Sequence, residues 1–425
     1  MTAATAPAAP PAAPLSRNRD YRLLWSGQAM SELGVHATTI AFPLLVLAIT
    51  GSAAASGLVL GTIAAAHLIA GLPAGALVDR WNRKAIMLGC EAAQALAAAS
   101  LVAAVWWNPA WWDRVSVPHL VAVAAVMGVC AALFEPAEDA SLPHIVTTEQ
   151  LPAAVALNSA RTNLGQLSGT AAGGFLFAVG RFVPFVLDLI THLAALLALA
   201  FVRLPPRQVR PEPAGKLWRE IVVGLGWVWQ QRHIRVTALC AVMLNLFFSA
   251  FYLVVIVLAQ SRGVTAGEIG VMAAMLGVGG ILGSLVAPYL HKKLTPFLSI
   301  AGVFWALTLL TPIAAVVHNG YLMGALFFAM ALLPPTANTT IMTEQLLLTP
   351  DELRGRLGGV IGLITGIAGA VGPVLGGLLT ELVAGGTAVL VCTGGIAAVT
   401  LLVTANSTLR RFPRRTEEKK GSDDG

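Results

Sequence analysis

Glu32 and His36 stand four residues apart in SGQAMSELGVHATTIAFPLLV, and Asp188 and His192 repeat that spacing in VPFVLDLITHLAALL. On a helix, positions i and i+4 share a face, so each pair brings a carboxyl and an imidazole together. Such a pair can take up and release a proton near neutral pH, because imidazole titrates there and burial alters how readily a carboxyl ionises. It can equally be a satisfied polar pair that packs two helices, and the residues alone leave both readings open. What makes the pairs notable is their surroundings, since a charge at the centre of a membrane helix costs about 2.5–3.5 kcal/mol on insertion scales and usually faces a cavity.

The elements around them are apolar on a scale that fits a bilayer. The chain has 425 residues, 56% hydrophobic and only 11% charged, which no ordinary water-facing surface matches. A bilayer core takes about 20 apolar residues per helix. Apolar runs at 22–50, 54–77, 85–107, 117–139, 160–180, 182–203, 234–260, 268–290, 297–317, 321–343, 357–382 and 386–408 predict twelve spans. All but Arg114, Arg181 and Arg262 of the 27 Lys and Arg fall on one side of them, which places both termini in the cytoplasm. This distribution also accounts for the formal charge of +6 without a nucleic-acid partner. Trp25 and Trp81 then mark the inner interface, and Trp106, Trp107, Trp111 and Trp112 the outer one.

The longest polar interruption divides the chain six spans to six. The expected organisation is a disordered cytoplasmic tail at 1–16, a six-helix bundle at 17–203, a linker at 204–233, a second six-helix bundle at 234–408 and a cytoplasmic tail at 409–425. Within the linker, Leu217, Ile221, Leu225 and Val228 recur at helical spacing beside Trp218, Trp227 and Trp229, as in a helix on the membrane surface. The halves echo each other: SGTAAGG at 168–174 and VGPVLGG at 371–377 share a glycine spacing at an offset of 203. The fold class is therefore all-α, twelve transmembrane helices in two pseudo-symmetric bundles related by an axis along the membrane normal.

Candidate cavity residues are Asn163 and Gln166 in span five, Asn245, Phe248 and Tyr252 in span seven, and Asn338 in span ten, apolar area with few directional groups. Aromatic residues at such spacing also serve simply to pack helices. Glu91, Glu135 and Glu344 sit nearer the cytoplasmic ends of their spans, within reach of Arg161 or Arg354, and read as gate or helix-end pairs. Glu381, near the outer end of span eleven, reads as interfacial. The four cysteines all lie in apolar stretches, too far apart for a metal or redox pair. No phosphate-binding GxxxxGK[ST], HExxH or GxSxG occurs, so neither an enzyme nor an ATP-driven pump is expected, and no cofactor or metal.

GALVDRWNRK at 75–84 gathers Gly75, Asp79, Arg80, Arg83 and Lys84 in the tight turn between spans two and three. It resembles the signature loop of the major facilitator superfamily, G-x-L-x-D-R-x-G-R-[RK], with Asn82 where Gly is usual. The resemblance implies that Asp79 and Arg83 belong to a cytoplasmic gate that joins the halves when the cavity opens outward, with Arg80, Lys84, Glu135 and Arg354 nearby. NRDYRLLWSGQAMSELG, FEPAEDASLP, TEQLPAAVALNSA and LRGRLGG with GPVLGG resemble the drug and siderophore exporters that include macrolide efflux pumps and the enterobactin exporter. Gly372, Pro373, Gly376 and Gly377 resemble the antiporter glycine motif. In those exporters that motif belongs to span five, where this chain has Gly165, Gly169 and Gly173 but Thr170 in place of Pro. The Arg that many drug and proton antiporters carry in span four is absent between Pro118 and Ala132, which fits the macrolide and siderophore branch.

The expectation that results is a plasma-membrane secondary transporter acting as a monomer. It would expel a small amphipathic compound in exchange for protons, with Glu32, His36, Asp188 and His192 as coupling candidates. A nutrient importer or uniporter of the same fold is the alternative, and a non-transporting membrane sensor or assembly factor the more distant one.

Overall fold

A computed structural model describes residues 14–106, 116–204 and 225–410. Thirteen long helices follow one another: α1 (Arg19–Thr50), α2 (Ala53–Arg80), α3 (Arg83–Trp106), α4 (Val117–Ser141), α5 (Leu151–Val179), α6 (Val183–Phe201), α7 (Arg232–Ser261), α8 (Ala266–Lys293), α9 (Pro296–Leu310), α10 (Gly320–Leu332), α11 (Pro334–Leu347), α12 (Asp351–Leu382) and α13 (Gly385–Ala405). α10 and α11 form one span broken at Leu333, where Pro334 and Pro335 remove two backbone donors. Twelve spans result, and among the described residues there is no strand. Helices dominate because lipid offers backbone groups no partner outside the segment itself. Their ends are fixed by polar caps: Asn18, Ser52, Ser116, Thr265, Thr295 and Asn319 each accept from a backbone N–H in the first turn that follows.

The two halves use the same packing scheme. In the first, α1 lies between α5 and α6, and α2 packs on α4; in the second, α7 lies between α12 and α13, and α8 packs on α10. Between the halves, α2 meets α12 and α5 meets α8. The paired motifs at 168–174 and 371–377 do equivalent work in both. Gly169 and Gly173 let α5 lie on α1, where an added Cβ would stand 2.3 Å from the Ala37 carbonyl, and Gly372 and Gly376 let α12 lie on α7, 2.4 Å from the Ala250 carbonyl. The last glycine of each motif faces the other half: Gly174 meets α8 at Ala266 and Gly270, and Gly377 meets α2 at Ala53 and Ala54.

These interhalf contacts all lie toward one face of the molecule, the distal face, where α1 and α12 end and α2 and α8 begin. At the proximal face, where α1 begins and α13 ends, Gly71 and Gly75 of α2 and Gly358, Gly359 and Gly362 of α12 have no atom in reach of an added Cβ. The halves are thus clasped distally, while the proximal glycines of α2 and α12 border open space among the described residues.

Three features differ from the sequence expectation. Span five starts at Leu151, not near 160, and it is the one long helix too polar to qualify as a membrane span by composition, among eleven stretches that do. Consequently Arg161, counted with the cytoplasmic residues, is buried within the bundle, 4% exposed. Of the proposed linker helix, residues 225–230 are helical and Val228 is buried against Ile234, Leu357 and Val360, so this end is tied to the second half. Leu217, Trp218 and Ile221 lie outside the described residues, as do Trp107, Trp111 and Trp112.

Candidate functional site

α1 supplies the site because it is the helix that both α5 and α6 touch, and its residues Gln28, Ser31, Glu32 and His36 spread across the faces turned to them. Two charged clusters form, one on each side of it.

The first joins α1, α3 and α6. His192 Nδ1 lies 2.7 Å from Glu91 Oε2, and its Nε2 lies 3.3 Å from Asp188 Oδ1. Gln28 donates to Glu91 Oε1 at 2.9 Å, and the Ser31 hydroxyl sits 3.3 Å from the same oxygen and 3.2 Å from His192 Nδ1. The side chains of Glu91 and His192 are each 1% exposed, so two carboxylates and one imidazole are shut away from water together. The Nδ1 contact is a hydrogen bond, whereas Asp188 Oδ1 has no hydrogen-bond partner among the described residues and meets Nε2 as a charge contact. Gly34 makes the approach of α6 possible: a Cβ there would meet the Thr191 hydroxyl and the Asp188 carboxylate, the latter at 2.8 Å.

The second cluster joins α1, α4 and α5. Arg161 donates to both oxygens of Glu138, at 2.7 and 3.0 Å, in the parallel fork that suits a guanidinium. The same side chain reaches Glu32 Oε1 from Nε at 3.2 Å and from Nη2 at 3.1 Å, and Thr162 donates to that oxygen at 2.8 Å. Glu32 Oε2 is buried without a hydrogen-bond partner among the described residues. Two carboxylates against one guanidinium leave this cluster a formal charge of −1 when all are ionised.

Of the two acid–imidazole pairs read from the sequence, Asp188 with His192 therefore forms and Glu32 with His36 does not, since Glu32 turns to Arg161. His36 instead packs against Gly169 and borders two cavities. The larger, about 800 Å³, lies between the halves and is lined by Asn163, Gln166, Asn245, Phe248, Tyr252 and Asn338 together with His36 and Thr39. The smaller, about 630 Å³, lies inside the first half beside Glu32, Glu91, Glu138 and Arg161. His36 and Asn163 belong to both, which places the charged clusters next to the central chamber.

Two acids differ from their expected roles. Glu91 was read as a helix-end group with an arginine partner; it is at the centre of the first cluster, paired to His192. Arg161 pairs with Glu138 and Glu32 and not with Glu135, which is exposed on the wall of the smaller cavity. The signal for Glu138 was present in FEPAEDASLP: it falls on the helical face of Phe134, Ala137 and Ser141, all buried, whereas Glu135 and Asp139 fall on the other. In the α2–α3 turn, Lys84 donates to the Ala200 and Val202 carbonyls at the end of α6, at 2.7 and 2.8 Å, and Arg83 to the Ala140 carbonyl of α4. Gly75, Asp79 and Arg80 occupy the last turns of α2 on the exposed proximal surface. The side chain of Arg354 lies outside the described residues, although its backbone is in the first turn of α12.

Among the described residues no group of His, Cys, Asp and Glu is arranged to hold a metal ion. Among the described residues, buried acidic, basic and imidazole side chains are confined to the first half; the second buries only hydroxyls, one amide and a thiol.

Comparison with known proteins agrees with this architecture. The sequence profile of a family described as transmembrane secretion effectors matches residues 9–423. The multidrug efflux pump Tap of Mycolicibacterium fortuitum is 27% identical over 364 residues, covering 81% of this chain and 85% of the relative. The enterobactin exporter EntS of Salmonella typhimurium is 25% identical over 398 residues, covering 92% and 93%. Among solved structures, the nucleoside transporter NupG superposes with a TM-score of 0.73 at 12% identity, over 91% of this chain and 99% of that one. A bacterial homologue of the iron transporter ferroportin, in an inward-facing state, gives 0.66 at 17% identity, with the same coverage.

Proposed function

The chain belongs to the transmembrane secretion effector family of major facilitator transporters, multi-pass membrane proteins and not enzymes, and on that premise we propose that it exports a small amphipathic compound in exchange for protons. The observation that carries this reading is the second charged cluster, Glu32–Arg161–Glu138, set against the cavity system. Glu32 is the least buried member and borders the smaller cavity: its side chain is 18% exposed, against 4% for Arg161 and 8% for Glu138. A group must meet water from alternate sides to couple proton movement to transport, so Glu32 is assigned the coupling proton. Protonation cancels its attraction for Arg161 and leaves the guanidinium to Glu138 alone. That loosens α1 from α5, the helix whose far end grips α8 of the other half. The Glu91–His192–Asp188 trio anchors α1 to α3 and α6 on the opposite side and acts as the fixed support against which this change works.

The substrate is assigned to the chamber of about 800 Å³, where Phe248 and Tyr252 give apolar area and Asn163, Gln166, Asn245 and Asn338 a few directional contacts. The names of the relatives, multidrug and enterobactin exporters, support an amphipathic cargo moved outward. In this orientation the proximal face is cytoplasmic, as the distribution of Lys and Arg indicates, with both termini inside, two six-helix bundles joined by the linker, and one chain forming the unit of transport. We read the open space beside the proximal glycines as an inward-open state, with Asp79, Arg83 and their neighbours as part of the gate on that face. Energetically, one proton moving down a pH unit supplies about 1.4 kcal/mol and down 100 mV about 2.3 kcal/mol, enough together for a gradient of several hundredfold.

The test uses inside-out membrane vesicles containing the protein and a fluorescent amphipathic dye. Acidifying the lumen should drive dye inward, and an ionophore that collapses the proton gradient should abolish that uptake. Uptake that ignores the ionophore would refute proton coupling, and dye leaving acid-loaded vesicles would refute export.

A further inference from the structure

The distal clasp contains one contact that the transport reading above does not use. Glu381, in the last turn of α12, accepts from the backbone N–H of Ala54 at 3.0 Å and from the Ser52 hydroxyl, both at the start of α2. The two helices belong to different halves. We propose that Glu381 is a latch, a cap supplied to α2 by the opposite half, which stabilises the distally closed state and is undone each time that face opens.

The counterpart helix shows what is unusual. The first N–H groups of any helix lack partners within it, and a carboxylate there is favoured by the helix dipole. α8, which occupies in the second half the position α2 has in the first, meets this need internally. Its N-cap Thr265 donates from backbone and hydroxyl to Glu268 at 2.9 Å each, and the Glu268 N–H returns a bond to the Thr265 hydroxyl. In α2 the corresponding third position is Ala55, which has only the Ser52 hydroxyl for its N–H, and the carboxylate comes across the junction from Glu381. The position 203 residues before Glu381 is Ala178, so the symmetry-related position on α5 carries no carboxylate. The latch lies on one of two related seams.

It also lies where separation cannot leave it intact. Beneath it, Gly57 and Gly377 hold α2 and α12 so close that an added Cβ would stand 2.3 Å from the Pro373 carbonyl and 2.4 Å from the Ala53 carbonyl. Backbones in such contact move apart as units, and Glu381 must then release Ser52 and Ala54. A contact made in one state and lost in the other shifts the equilibrium by its full differential strength.

The experiment is a double electron–electron resonance measurement on the full chain, with nitroxide labels on cysteines substituted at Leu58 and Ala384 and the four native cysteines replaced. Glu381→Ala should raise the ratio of long to short distances about fivefold, the equivalent of the ~1 kcal/mol typical of a lost helix cap. Glu381→Gln, which retains an accepting oxygen but no charge, should fall between. Adding Ala55→Glu to Glu381→Ala rebuilds a cap on α2 alone, as in α8, and should leave the long distances elevated. Unchanged distances in folded Glu381→Ala protein would overturn the proposal. Restoration of the short distances by Ala55→Glu would overturn it too, because Glu381 would then act on helix α2 and not on the junction.

Discussion

Arg161 grips Glu138 with two parallel hydrogen bonds, 2.7 and 3.0 Å long, in the interior of the first bundle. Neither residue is more than 6% exposed. Truncating one member of such a pair strands the other, a loss of about 3–5 kcal/mol, whereas replacing both with apolar groups of similar volume is often neutral or stabilising. Glu138→Ala should therefore lower the melting temperature of the detergent-solubilised protein sharply, and the double variant Glu138→Leu/Arg161→Met should be more stable than Glu138→Ala. Thermal unfolding followed by tryptophan fluorescence decides it. A double variant less stable than the single would show that Glu32 depends on Arg161 more than Glu138 does.

The trio on the other side of α1 behaves differently on mutation, because one imidazole serves two acids. Removing it with His192→Ala leaves Glu91 and Asp188 facing each other's charge across the gap, in a site 4% exposed or less. Loss of a stable fold is expected, and neutralising one acid with Asp188→Asn should recover part of it. Yield of monodisperse protein from size-exclusion chromatography is the readout; equal yields for the single and double variants would remove the trio's assigned role as a support.

Small residues at the helix crossings set how closely α5 can lie on α1. Gly173→Val would drive a side chain into the Ala37 carbonyl, 2.3 Å from an added Cβ, and overpacking of this kind typically costs about 1–3 kcal/mol. Gly359→Val, where no atom lies within reach, should change stability little in this state. Comparing the two melting temperatures isolates the crossing, because the change in helix propensity, which favours valine over glycine, is shared by both variants.

Much of this arrangement is legible in the sequence, for identifiable reasons. Twelve spans follow from apolar runs because lipid forces each to be a helix, and the glycine motif at 168–174 and 371–377 announces the two related halves. Six polar and aromatic positions scattered over spans five, seven and ten do line one chamber, since each lies on the inward face of its helix. Span five escaped its true start because Asn158 and Ser159, which line a cavity, and Arg161, counted with the cytoplasmic residues, interrupt the apolar run. Partner choice was hidden for a different reason. Glu32 has His36 one turn away on its own helix, yet it bonds to Arg161, 129 positions distant, and nothing local in a sequence encodes which of two helices will be pressed against α1.

In the central chamber, Phe248 and Tyr252 stand one turn apart on α7 and present apolar area to any cargo. Phe248→Ala should raise KM several-fold with little change in maximal rate, as expected where an interaction is equally strong throughout binding. Concentration dependence of dye uptake in vesicles separates the two parameters. An unchanged KM would move the binding surface elsewhere.

The account turns on Glu32 as the proton carrier, and the most direct measurement compares wild type with Glu32→Gln in proteoliposomes loaded with substrate. Two modes are recorded side by side: exchange of labelled for unlabelled substrate at equal pH, and accumulation against a gradient of about one pH unit. The account predicts that Glu32→Gln keeps exchange and loses accumulation. Accumulation equal to wild type would contradict it.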